Sequence, residues 1–134
     1  MKPNSRLSLA LHTLGHMAGD PEKVQTSAYI AEHAGTNPVV VRRVLGRLKK
    51  AGLLDSEKGH SGGWWLAKTP DQISLADVYL ALDERMVASE GKAEPLACSV
   101  EDALHKRVSG VLEEVERSLV EKLAKTSISD VCAV

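Results

Sequence analysis

Residues 36–68 read TNPVVVRRVLGRLKKAGLLDSEKGHSGGWWLAK, and the order of residue types along this stretch decides the fold. Asn37 followed by Pro38 is a helix start, an N-cap side chain next to a proline whose fixed φ suits the first helical position. The helix predicted from there runs to about Ala51 and buries Val40, Val41, Val44, Leu45 and Leu48. Arg42, Arg43, Gly46, Arg47, Lys49 and Lys50 are left largely on its outer faces, and Gly52 ends it. Leu53–Lys58 and Trp64–Thr69 then read as short strands joined across Gly59–Gly63. A capped basic helix followed by a glycine-bearing hairpin is the order of a recognition helix and its β-wing. Charge supports this. The window holds seven Lys and Arg against Asp55 and Glu57, a net +5, whereas the rest of the chain carries −6 and the whole chain −1. A near-neutral chain that gathers its positive charge on one helix and hairpin is built to meet a polyanion at one face.

Upstream, Leu7, Ala10, Leu11, Leu14, Met17 and Ala18 recur at helical spacing, so residues 5–18 form an amphipathic helix capped by Ser5 and stopped by Gly19-Asp20-Pro21. Thr26 caps a second helix over Ser27–Ala34, with Ala28, Ile30, Ala31 and Ala34 available for burial, and Gly35 ends it. Downstream, Pro70-Asp71 breaks the second strand. Ser74 with Asp77 forms a capping-box-like start for a fourth helix, whose face is Leu75, Val78, Tyr79 and Leu82. Residues 87–97 form a connection. From Ser99 a long helix carries Val100, Leu104, Val108, Val111, Leu112, Val115, Leu119 and Leu123 at helical spacing, and Lys125–Val134 can add a short closing helix. An apolar stripe of that length is hard to bury in one small chain, so a second copy is its natural partner.

A length of 134 residues with 43% apolar content fits a packed domain with an assembly arm. Phe is absent, so the core must be aliphatic. Apolar runs are far too short to span a bilayer, so no membrane partner is expected. The basic start and apolar middle of residues 1–20 resemble a signal peptide, but two His interrupt an amphipathic helical pattern, and the expectation is a cytoplasmic protein. Two cysteines, Cys98 and Cys132, fit a reducing compartment rather than a disulfide scaffold. The expected architecture is mainly α with a small β-wing: a winged helix-turn-helix over 1–86, a linker or sensor loop over 87–98, and a dimerisation helix and tail over 99–134.

With these residues in view, the chain resembles the Rrf-type winged-helix transcriptional regulators, the bacterial family that includes IscR, NsrR and CymR. The resemblance rests on SRLSLALHTLGHMA, NPVVVRRVLGRLKKAGLL, SGGWWLAK and ISLADVYLALDE, and it covers nearly the whole chain. It implies a homodimer on palindromic operator DNA, usually repressing transcription, with the long C-terminal helix as dimer arm. Iron–sulfur members carry three closely spaced cysteines before that helix. Here EGKAEPLACSVED holds only Cys98, so no cluster, and no other cofactor or metal, is expected.

The expected DNA contacts divide by chemistry. Asn37 and the backbone amides beside Pro38 sit at a helix N-terminus suited to phosphate. Val39, Arg42 and Arg43 are near enough to that end to reach base edges. Arg47, Lys49 and Lys50 contact phosphate or solvent, and Lys58, His60 and Ser61 at the wing tip reach an adjacent groove or its backbone. The glycines of the hairpin do not open onto a helix, so a nucleotide-cradling loop is a poor fit. The dimer contacts expected are Val108, Val111, Val115 and Leu119. His12 and His16 have metal-ligand spacing but read more simply as solvent- or interface-facing imidazoles. Cys98, beside the start of the dimer helix, is a candidate thiol sensor, and an alternative sensor pairs it with His12 across the dimer. The competing reading is a DNA-independent protein-interaction module. An enzyme is not expected, because no nucleophile–base pair or metal triad stands out.

Overall fold

The structure, a computed structural model, describes residues 5–57, 63–83 and 99–132. Within them the chain forms α1 (Arg6–Gly19), α2 (Ser27–Ala34), α3 (Pro38–Lys50), β1 (Leu54–Ser56), β2 (Trp64–Leu66), a single 3-10 turn (Pro70–Gln72), α4 (Leu75–Ala81), α5 (Ser99–Leu123) and α6 (Ile128–Cys132). The wing-tip residues Lys58, His60 and Ser61, the linker over 87–97 and Cys98 lie outside the described residues.

Local chemistry sets the helix starts. The Ser5 and Thr26 hydroxyls accept from the Ser8 and Tyr29 amides, and Asn37 Oδ1 accepts from both Val39 and Val40. Ser74 and Asp77 make a reciprocal capping box. Gly35 closes α2 in the left-handed region at φ 71°, which lets α3 begin three residues later. This is the tight joint of a helix-turn-helix.

The core is aliphatic around one tyrosine. Leu7, Ala10, Leu14 and Met17 of α1 meet Val41, Val44, Leu45 and Leu48 of α3, with Val78, Tyr79 and Leu82 closing the other side. Two expected core positions differ. Ala28 is exposed, because it lies about 200° around α2 from Ile30, whereas the buried side is the one carrying Ile30 and Ala31. Val40, one turn into α3, is only half-buried and lines a cleft beside the start of α1.

Both strands are shorter than their sequence spans. Leu54 pairs with Leu66, Asp55 with Trp65 and Ser56 with Trp64 in an antiparallel ladder. A two-stranded ribbon is marginal alone, and here the loop before α2 supports it. Gln25 and Trp64 exchange two backbone hydrogen bonds, 2.8 and 3.1 Å, and the Trp64 indole donates to Ser27 Oγ at 3.0 Å. Gly63 is pressed against that loop. A Cβ there would stand 2.7 Å from both the Gln25 carbonyl oxygen and Val24 Cγ1.

The 25 residues of α5 extend about 37 Å, and none is fully buried. Its C-terminal part belongs to the core, where Leu119, Val120 and Leu123 pack, and the Tyr79 hydroxyl meets the Glu116 carboxylate at 2.9 and 3.0 Å. Then the chain folds back. Ile128, 2% exposed, enters the core as its amide donates to the Ile73 carbonyl, and Leu75 donates to the Thr126 carbonyl. The expected closing helix is therefore short, and it is part of the core. No described helix is long and apolar enough to cross a membrane.

Candidate nucleic-acid interface

α3 has two opposed faces because Val41, Val44, Leu45 and Leu48, its buried residues, fall on one side of a 3.6-residue period. Burying that side against α1 and α4 turns Val39, Arg42, Arg43 and Lys50 to solvent; Val39 is 51% exposed. Arg42, Arg43 and Lys50 make no ion pair among the described residues. Their charge is thus available to an external partner.

The other basic residues of the helix are partly engaged. Arg47 is half-buried; its Nη1 donates to the Leu82 carbonyl at 3.5 Å and lies 3.8 Å from Asp83. Asp83 reaches that place from a left-handed backbone, φ 51°, just past α4. Lys49 donates to Ser56 Oγ at 2.9 Å, which ties the end of α3 to the wing. Both bonds brace the helix from its rear and leave its N-terminal half free.

The N-terminus of α3 differs from a bare phosphate cradle. Pro38 is half-buried and has no N–H, and the Val39 and Val40 amides both point at Asn37 Oδ1, 3.1 Å away. Two of the amides at this end are thereby taken up by the chain's own cap.

On α5, Val108, Val111 and Val115 are 54%, 54% and 48% exposed and continue a line that includes Val100 and Leu104. Leu119, grouped with them from the sequence, is half-buried and packs against its own core. The exposed stripe therefore ends a turn earlier than its periodicity indicates.

His12 and His16 do project outward, as the sequence indicates, but not as an isolated pair. His33 of α2 joins them, with ring centroids 4.4 Å (His12–His16), 4.7 Å (His16–His33) and 6.1 Å (His12–His33) apart. Sequence spacing could not link His33 to α1, because only the packing of α1 on α2 brings them together. The chain's two cysteines cannot supply the four mainly thiolate ligands of an iron–sulfur cluster, so a cluster held by one chain does not fit its donor set.

Residues 4–134 match the family described as Rrf2, iron-dependent transcriptional regulator. The chain is similar to YwnA of Bacillus subtilis (strain 168), a candidate HTH-type transcriptional regulator, at 39% identity over 130 residues, covering 96% of this chain and 95% of that protein. It is also similar to a solved candidate DNA-binding protein at 35% identity, with a TM-score of 0.75 over 95% of this chain and 98% of the other. CymR of B. subtilis, a global cysteine regulator, shares the fold at 21% identity, with a TM-score of 0.62 over 99% of this chain and 97% of that one.

Proposed function

The chain belongs to the Rrf2 family of transcriptional regulators, and from that premise we propose that it acts as a homodimer that binds a palindromic operator and represses transcription in the cytoplasm. The observation that carries the proposal is the outer face of α3, where Val39, Arg42 and Arg43 stand exposed near a capped N-terminus while the rear of the helix is anchored. Arg42 and Arg43 suit guanine edges in the major groove, and Lys50 suits phosphate. Lys58, His60 and Ser61, between the two strands in sequence, suit contacts to the flanking phosphate backbone.

Dimerisation is supported by the exposed line Val100, Leu104, Val108, Val111 and Val115, a continuous apolar face of the kind monomers rarely leave in water. Two copies joined along this helix would present two recognition helices to two half-sites, so the operator should carry two-fold symmetry. A dimer seated on a promoter excludes polymerase, which is the basis for repression. A thiol input through Cys98 forms a separate part of the proposal; if Cys98→Ser loses operator binding to mild oxidant as the natural chain does, that part is wrong.

Selection from randomised duplexes, followed by footprinting of the winners, tests the main reading. Binding should favour a symmetric site and fall steeply with salt as bound counterions are released. Arg42→Ala should relax the preference at particular bases at a cost of roughly 1–3 kcal/mol, whereas Lys50→Ala should weaken all sequences evenly. Equal affinity for every duplex would leave the protein-interaction reading in its place.

A further inference from the structure

The cleft beside the start of α1 is bounded on its other side by the joint between α2 and α3. None of Val39, Arg42, Arg43 or the α5 valines lines it. We propose that this cleft binds one small organic anion, a carboxylate or phosphate monoester joined to a compact apolar group. The site stands on the cleft itself and does not rest on the operator reading.

Size and shape admit such a ligand. The cleft has a volume of about 330 Å³, within the roughly 300–1,000 Å³ typical of small-molecule sites. The joint keeps it open: Gly35, in the left-handed region at φ 71°, brings no side chain to its wall.

The lining selects charge. Arg6 and His12 come from α1 and His33 from α2, so donors able to carry positive charge reach the cleft from two elements. Among the described residues, no Asp or Glu lines it. The His12 and His33 ring centroids are 6.1 Å apart. An oxyanion between them can accept an N–H from each, because imidazole offers a donor in either protonation state. Neither ring makes an ion pair among the described residues. Arg6 adds five N–H donors in a planar fork that matches a carboxylate or phosphate. Ser5 Oγ accepts from the Ser8 amide and keeps its own proton to donate, and Thr36 contributes a second hydroxyl. The first turns of α1 and α3 also line the cleft, where the positive ends of both helix dipoles favour an anion.

The remaining wall selects an organic anion over a bare one. Leu9, Ala34 and Val40 line the cleft and are half-buried. Val40 has the spacing of a core residue, and an apolar group in the cleft would complete its burial. A phosphate of the DNA backbone would supply the charge and leave this wall uncovered. A ligand seated here would touch α1, the joint at Thr36 and the first turn of α3, so its occupancy bears on the placement of the recognition helix.

The test is a titration of the ¹⁵N-labelled full chain without DNA, at fixed ionic strength. The probes are benzoate, phenyl phosphate and hexanoate, with neutral benzamide and inorganic phosphate as controls. At least one organic anion should bind saturably, one per chain, and shift amides within residues 5–9 and 34–40. Benzamide and inorganic phosphate should each bind at least about tenfold more weakly. Arg6→Gln and His33→Gln should each weaken binding of that anion by at least about tenfold with the melting temperature held, and Thr36→Val by less. Should Arg6→Gln prove unstable, His33→Gln and Thr36→Val carry the same comparison. Lys125→Gln, which removes an exposed cation elsewhere, should bind as the natural chain does. No saturable binding by any of the three anions, or shifts lying outside the cleft, would overturn the site. So would unchanged affinity in His33→Gln, or an equal loss in Lys125→Gln. Inorganic phosphate binding as tightly as every organic anion would overturn the ligand class and leave a seat for phosphate alone. Because no DNA is present, each of these failures leaves the operator reading intact.

Discussion

Asn37 sits at the joint between α2 and α3 and accepts from the Val39 and Val40 amides with one oxygen. Asn37→Ala leaves both donors to water and should cost about 1 kcal/mol of stability, read as a lower urea midpoint. Asn37→Asp is the informative control. It retains the capping oxygen and suits the helix dipole, so stability should hold, yet it adds negative charge where a phosphate would approach and removes the amide nitrogen. Operator affinity should therefore fall while the midpoint does not. Equal losses in both variants for both measurements would mean that the residue acts on DNA only through the fold. The cap was legible from Asn37-Pro38 because capping is local chemistry. That the side chain is spent on two amides, and that Arg47 leans on the Leu82 carbonyl, depends on orientation and on residues 35 positions away.

Among the elements, the wing and α5 make the sharpest demands on their surroundings. Gly63 has no room for a Cβ against the backbone of Gln25, so Gly63→Ala should push the hairpin off the loop before α2 and break the Gln25–Trp64 pairing. The expected result is a lower melting temperature, a changed Trp64 fluorescence and weaker operator binding. An unchanged emission spectrum would show that the loop yields instead. On α5, Val108→Asp with Val111→Asp places charge on the exposed stripe, where an apolar partner could not solvate it. Sedimentation should then report monomers, and affinity for a two-half-site operator should fall far more than affinity for one half-site. The intramolecular fold should survive, since neither residue is buried in the chain. A natural chain that stays monomeric at micromolar concentration yet binds its operator tightly would contradict the arrangement.

At the scale of the whole molecule, the chain's end completes its beginning. α6 packs against α1, and Ile128 is buried among residues contributed from both halves of the sequence. Ile128→Ala should thus cost roughly 2–5 kcal/mol, although it lies 90 residues from Pro38 at the head of α3. A calorimetric melt identical to that of the natural chain would mean that α6 is dispensable.

The sequence by itself determined the order of elements, the caps of α1, α2, α3 and α4, the basic face of α3 and the apolar line of α5. Each of these is written in neighbours within one or two turns, where spacing and side-chain chemistry act directly. Tertiary structure alone decided which apolar residues of α5 face solvent and which, like Leu119, face the core. It also decided the pairing of Trp64 with Gln25, the bracing of Arg47, and the meeting of His33 with His12 and His16. Those outcomes depend on how two helices pack and on which surfaces remain after packing, and helical period specifies a face without naming what will lie against it.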